Sequence, residues 1–202
     1  MKKTVFLLSF FILSTNTCLK AQYGLQIASM VPAGKTAYLL KPGYGGEFIL
    51  GFGDIDNRWK FTANIGFYSF KPTQDTFKTY TIESSQTTSL LPATDVIKKY
   101  QMLSFGFGSN FKILDKKFSP IIGMDAYVTI IDESEDSNDG VVNSSSTNDT
   151  YWRLSICPKV GACYQIKESW LLNAVIGRDM GFGLTGTQSY WKPSFSASYY
   201  FD

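Results

Sequence analysis

Apolar and polar residues alternate one by one along several stretches of this chain, the period of a β-strand whose two faces meet different surroundings. The cleanest stretch is 151–166. Trp152, Leu154, Ile156, Val160, Ala162 and Tyr164 share one face, and Arg153, Ser155, Cys157, Lys159, Gly161 and Cys163 the other. Phe118, Ile122, Met124, Ala126, Val128 and Ile130 oppose Ser119, Gly123, Asp125, Tyr127 and Thr129 in the same way. Leu103, Phe105, Phe107 and Phe111 oppose Ser104, Gly106, Gly108 and Asn110, while Phe195, Ala197, Tyr199 and Phe201 oppose Ser194, Ser196 and Ser198. With four further runs, the pattern predicts eight strands at 23–32, 44–53, 58–71, 99–113, 118–131, 151–166, 170–182 and 191–201. The first, second and seventh alternate least cleanly.

The spacing between these runs has its own pattern. Asp54–Asn57, Leu114–Lys117 and Lys167–Ser169 read as tight polar turns, and longer links fall between them at 33–43, 72–98, 132–150 and 183–190. Strict alternation of short and long links puts both ends of the strand array on the short-turn side and requires an even strand number. Only helices and closed barrels satisfy every backbone polar group in lipid. No segment, the apolar run at 5–13 included, reaches the roughly 20 apolar residues of a spanning helix. The expected fold is all-β: an eight-stranded antiparallel up-and-down transmembrane β-barrel, with short periplasmic turns and longer extracellular loops. A soluble barrel or sandwich also alternates, but its polar face is usually rich in Lys, Glu and Asp. Here that face is mostly Gly, Ser, Thr and Asn, which suits the narrow inside of an eight-stranded barrel. Trp59, Trp152, Tyr164, Trp170 and Trp191 fall near strand ends, where an aromatic girdle would sit.

The N-terminus changes the reading of the charge. Lys2 and Lys3 precede an apolar run from Val5 to Leu13, and Leu19-Lys20-Ala21 leads into Gln22, the layout of a secretory signal peptide cleaved after Ala21. The expected organisation is a signal peptide at 1–21 and an outer-membrane β-barrel at 22–202. Cys18 lies where a lipoprotein would carry its lipid, but Thr15-Asn16-Thr17 lacks the usual lead-in, so it is expected to leave with the signal. Removing residues 1–21 takes away Lys2, Lys3 and Lys20 and no acid, so the formal charge of +2 becomes −1. A nucleic-acid partner therefore has no electrostatic support. Cys157 and Cys163 remain; on one extended strand they would lie about 20 Å apart, beyond the reach of a disulfide. The aromatic share of 16% and the 17 glycines fit strands with close backbone approaches.

The Ala21-Gln22 junction, the eight-run ladder and the ending Ser194-Phe-Ser-Ala-Ser-Tyr-Tyr-Phe-Asp202 resemble the small outer-membrane β-barrel proteins of Bacteroidota and, more distantly, barrels of the OmpA and OmpX type. The resemblance spans the whole chain after the signal and is one of pattern. It implies that the last strand is read by the barrel-assembly machinery, with Phe195, Tyr199 and Phe201 in the recognised positions. Asp202 departs from the pattern by displacing the aromatic from the final place.

Candidate chemistry is sparse. The chain has no histidine, which excludes His-based triads and His metal sites. Outer-membrane lipid-modifying enzymes of similar size rely on that residue, so no catalytic residues, metal site or cofactor are expected. Gly181-Phe-Gly-Leu-Thr-Gly186 spells the dinucleotide fingerprint, but a last strand follows it instead of the required helix. Glu133, Glu135, Asp136, Asp139 and Gly140 suggest a calcium loop, yet position 146 is Ser where an EF-hand needs Glu, leaving a solvated loop. Asn143 and Asn148 begin glycosylation sequons by spelling only. The link 72–98, with Tyr80, Ile82, Leu90, Leu91 and Ile97, is long enough to be functional and offers a surface to an envelope-complex partner.

Five charges, Glu47, Lys60, Asp125, Arg153 and Lys159, point into the lumen in this register. Charges in a narrow barrel must pair, and an ion-pair network that plugs it is the expectation. The predicted function is a non-catalytic outer-membrane barrel, structural, adhesive or an accessory subunit, working through its extracellular loops. Its surroundings would be outer-membrane lipid and lipopolysaccharide. One alternative is transport of a small or hydrophobic solute through a narrow porin-like channel; another is a soluble periplasmic ligand-binding barrel.

Overall fold

The computed structural model describes residues 21–201 except 74–76, 82–90, 139–143 and 184–185. The signal-peptide reading therefore lies outside the described residues. Among the described residues nine strands form: β1 (Ala21–Ala33), β2 (Gly43–Phe52), β3 (Trp59–Phe70), β4 (Phe77–Thr81), β5 (Leu91–Lys112), β6 (Phe118–Asn138), β7 (Ser144–Lys167), β8 (Trp170–Gly183) and β9 (Gly186–Tyr200). Every neighbouring pair is antiparallel. The ring closes twice over. β3 pairs with β5 from Trp59 opposite Phe111 to Phe70 opposite Tyr100, and β1 pairs with β9 from Gln22 opposite Tyr200 to Ala33 opposite Ser189. Eight strands thus make a closed barrel, and β4 is a short addition to the outer half of β5.

The alternation decides which way each side chain points, and the apolar face points out. Leu25, Ile27, Phe61, Phe107, Met124, Leu154 and Val160 are all more than half exposed. In a soluble barrel such residues pack inward, so the orientation here is the reverse of that arrangement. Two belts of aromatic residues bound the apolar wall. Trp59 and Phe111, Trp170 and Tyr199, and Tyr23 and Phe201 meet in pairs near the short turns. Trp152 and Trp191 lie towards the other end, Trp191 beneath the Arg178 guanidinium at 5.2 Å. The eight residue steps from Trp191 to Tyr199 span about 26 Å of strand, or about 20 Å of height at the usual tilt.

The strands run further than the hydrophobic pattern shows. β6 and β7 remain paired through Asn138 opposite Ser144, so most of the expected acidic loop is strand; Asp139 and Gly140 lie outside the described residues. Asp132 pairs with Lys99 at 2.7 Å, and Glu133 accepts from the Tyr151 hydroxyl at 3.1 Å. β8 and β9 likewise stay paired to Gly183 opposite Gly186, so the expected long link at 183–190 is a close hairpin and the short-long alternation is not strict. The link at 72–98 holds β4 and the outer part of β5. Ladder hydrogen bonds need no apolar face, so the Ser-, Thr- and Asp-rich extensions of β6 and β7 stay paired without one.

The three poorly alternating strands also acquire a cause. Ala28 and Met30 of β1, Ile49 of β2 and Leu171 of β8 are apolar but buried inside the barrel. They break the polar parity because the lumen is not uniformly polar.

Candidate functional site

The lumen is filled in layers. At the short-turn end, the turn between β2 and β3 folds Ile55 under the barrel, where it packs with Ile121, Cys163, Leu171 and Tyr200. Gly53, at φ 112°, provides the left-handed step that starts this turn. Lys112 Nζ anchors it by donating to the Ile55 carbonyl at 2.7 Å. At the opposite end, Ala28, Met30, Leu40, Tyr68, Phe70, Tyr100, Met102, Ile131 and Tyr190 form a second apolar plug. Leu40 reaches it from the link after β1, which is tied to the stretch after β3 by Lys41 N donating to Lys71 O and Thr73 N to Leu39 O, both 2.8 Å.

Charged groups occupy the middle. Lys192 Nζ pairs with Glu47 and also donates to the Tyr127 hydroxyl at 2.9 Å. Glu47 further accepts from Tyr68 Oη at 2.7 Å and Gln26 Nε2 at 2.9 Å. Lys159 Nζ meets Asp125 Oδ1 at 2.5 Å, and Tyr127 Oη donates to Asp125 Oδ2 at 3.1 Å, joining the two pairs into one network. Above them Arg153 Nη2 meets Asp179 Oδ1 at 2.8 Å, and Ser155 Oγ donates to Asp179 Oδ2 at 3.0 Å. The Arg153 guanidinium carbon lies 5.0 Å from the centre of the Tyr190 ring. Below, Lys60 Nζ donates to Tyr200 Oη at 2.5 Å.

Glu47, Lys60, Asp125, Arg153 and Lys159 thus all lie inside the barrel, but only Asp125 and Lys159 pair with each other. Glu47 and Arg153 take partners outside the five expected charges, Lys192 and Asp179. A signal for Lys192 is present, since it shares parity with Ser194, Ser196 and Ser198. Asp179 is masked by the inward Leu171 on the same strand. Phe195, Tyr199 and Phe201 sit on the outer side of the barrel; the ring of Tyr199 stacks edge-on against Trp170 at 5.2 Å and Phe201 at 4.7 Å.

Close packing of this network explains two glycines. A Cβ on Gly108 would fall 1.8 Å from Asp125 Oδ1, and one on Gly181 would fall 2.4 Å from Arg153 Nη1. Gly181 and Gly183 of the fingerprint-like stretch belong to β8 and Gly186 to β9, with no helix after them. Cys157 and Cys163 are free and buried on β7. Among the described residues, no three Asp, Glu, Cys or His side chains gather as metal ligands.

The fold has relatives among solved structures. Neisserial surface protein A is 14% identical, with 90% of this chain and 97% of that one aligned at a TM-score of 0.55. A major outer membrane protein from Thermus thermophilus is 13% identical over 90% of this chain and 99% of that one, at 0.51. Ail, the attachment invasion locus protein of Yersinia pestis, is 12% identical over 91% and 99%, at 0.50. At these identities the likeness is one of fold. No protein-family model and no curated protein sequence matches the chain.

Proposed function

We propose that this chain is a non-catalytic outer-membrane barrel, held in the membrane by its outward apolar face and acting through the hairpins at its far end. The observation that carries the reading is the inversion of the barrel: a continuous apolar wall between aromatic belts surrounds a charged interior. Exposed apolar surface on this scale exceeds what a soluble monomer presents. The fold shared with outer-membrane barrels of Neisseria and Thermus supports the same location.

In this reading residues 1–21 direct export, and Phe195, Tyr199 and Phe201 present the last strand to the barrel-assembly machinery. Lipid and lipopolysaccharide surround the wall. The role is structural, adhesive or that of an accessory subunit, with the region 72–98 as the partner-facing surface. The Yersinia neighbour is named for attachment and invasion; for this chain, adhesion rests on its own projecting strands. The interior charges act as a plug. What supports a plug over a solute channel is that apolar side chains fill both ends and three ion pairs, Arg153–Asp179, Lys159–Asp125 and Lys192–Glu47, cross the space between them.

Membrane fractionation with gel electrophoresis tests this. The protein is expected in the outer-membrane fraction, running faster unboiled than boiled. Recovery in the soluble fraction with heat-insensitive migration would refute the location. Steady single-channel conductance in planar bilayers, altered by Arg153→Ala, would replace the plug with the transport reading.

A further inference from the structure

Between the lower apolar plug and the Asp125–Lys159 pair lies a cavity of about 40 Å³ inside the barrel. That is room for about three water molecules. The charged residues lining it are Lys60, Lys112, Lys159 and Asp125, three cations to one anion among the described residues. Asp125 is committed to Lys159 at 2.5 Å. The other two ammoniums donate to neutral acceptors, the Tyr200 hydroxyl and the Ile55 carbonyl. Asp54 and Asp56 of the closing turn act on Lys60 from outside the cavity lining.

The cavity wall also holds polar atoms that the protein does not satisfy. Among the described residues, Thr62 Oγ1, Asn64 Oδ1, Asn110 Oδ1 and Ser198 Oγ are buried without a hydrogen-bond partner, and all four residues line this one cavity. Thr62, Asn64 and Ser198 are 7%, 4% and 1% exposed. Four such atoms in a folded interior call for a ligand, because each left unmet costs about 1–3 kcal/mol. Water alone would meet them but, among the described residues, would leave the positive charge of the lining to be compensated from outside it, by Asp54 and Asp56 of the closing turn.

We infer that this chamber binds a small monovalent inorganic anion of the halide class together with one or two waters. Lys60 and Lys112 supply the charge, the hydroxyls of Thr62 and Ser198 donate to the anion, and the waters donate to the amide oxygens of Asn64 and Asn110. The size of the chamber excludes organic acids larger than formate and leaves no room for a hydrated phosphate. This inference is independent of the membrane location, because it rests only on the closed barrel.

The test is to refold the protein into detergent micelles in sodium chloride, bromide or gluconate at one ionic strength, then to melt it under tryptophan fluorescence. Chloride and bromide are expected to raise the melting temperature over gluconate by about 4 °C or more, saturably with concentration. The rise should vanish in Lys60→Met/Lys112→Met and persist in Lys116→Met, whose lysine lies on the exposed turn. Should the double variant fail to fold, bromide anomalous scattering from crystals of the unaltered protein gives a second readout, with one peak expected between Lys60 and Lys112. Equal melting in all three salts, a halide effect that survives the double substitution, or no bromide peak in the chamber would each overturn the inference.

Discussion

At the scale of single residues, the barrel's interior is a problem in compensation. Arg153 shows it best. One guanidinium nitrogen meets Asp179, while Nε and Nη1 bond no atom of the described residues and the cation lies against the Tyr190 ring. Removing one partner of such a buried pair leaves the other charged and alone, at a cost of about 3–5 kcal/mol, whereas replacing both with apolar groups is often neutral. Asp179→Leu alone is therefore expected to destabilise the protein by about that amount in urea unfolding from micelles. Arg153→Met/Asp179→Leu should recover most of the loss. If the double substitution is as damaging as the two single ones added together, the pair is not the unit of stability proposed. The inward position of these charges is legible one strand at a time, because parity alone separates Arg153 from Trp152 and Leu154. Their partnerships are not. Glu47 and Lys192 are 145 residues apart, and only the closure of the ring brings them together.

At the scale of elements, the alternation reveals a strand wherever one face must be apolar and falls silent where that need ends. The wall parts of β5, β6, β7 and β9 are plain in Phe105, Val128, Leu154 and Phe195. The continuations of β6 and β7, through Ser, Thr, Asn, Asp and Glu, carry no such signature and read as loops. Apolar residues facing inward blur β1 and β8 for the opposite reason, since Met30 and Leu171 serve the plugs. The barrel's own ladder between β3 and β5 begins at Phe70 opposite Tyr100, so β4 and the outer end of β5 lie beyond the closed ring. Replacing residues 73–97 with a short Gly-Ser turn should thus leave heat-modifiable migration intact and shift the melting temperature by only a few degrees. Capture of an envelope partner from native membranes should be lost. Retained capture would move the partner surface elsewhere, to the β6–β7 hairpin.

For the whole molecule, the proposed membrane location requires that its solvent change along its height. An arginine facing lipid costs about 2–4 kcal/mol at the bilayer midplane and about 0–1 near the interfaces. Met124, half-way along the wall part of β6 and 54% exposed, is the midplane probe; Phe118, at the start of that strand, is the interfacial one. Met124→Arg is expected to lose a few kcal/mol in lipid bilayers and Phe118→Arg at most about 1 kcal/mol, compared by urea titration. Similar small losses at both positions would argue that no membrane surrounds the wall. The interior carries a different consequence, one for the route by which the chain reaches this state. Lys192 on β9 meets Glu47 on β2, and Lys60 on β3 meets Tyr200 on β9, across the meeting of the first and last strands. Laid out as an open sheet, those residues would stand near opposite margins. A sheet not yet joined between β1 and β9 holds them apart, and contacts so remote in sequence slow folding. That seam therefore joins more than two backbones: until β1 and β9 meet, Glu47 and Lys192 lack each other as counter-ions and the interior stays unfinished.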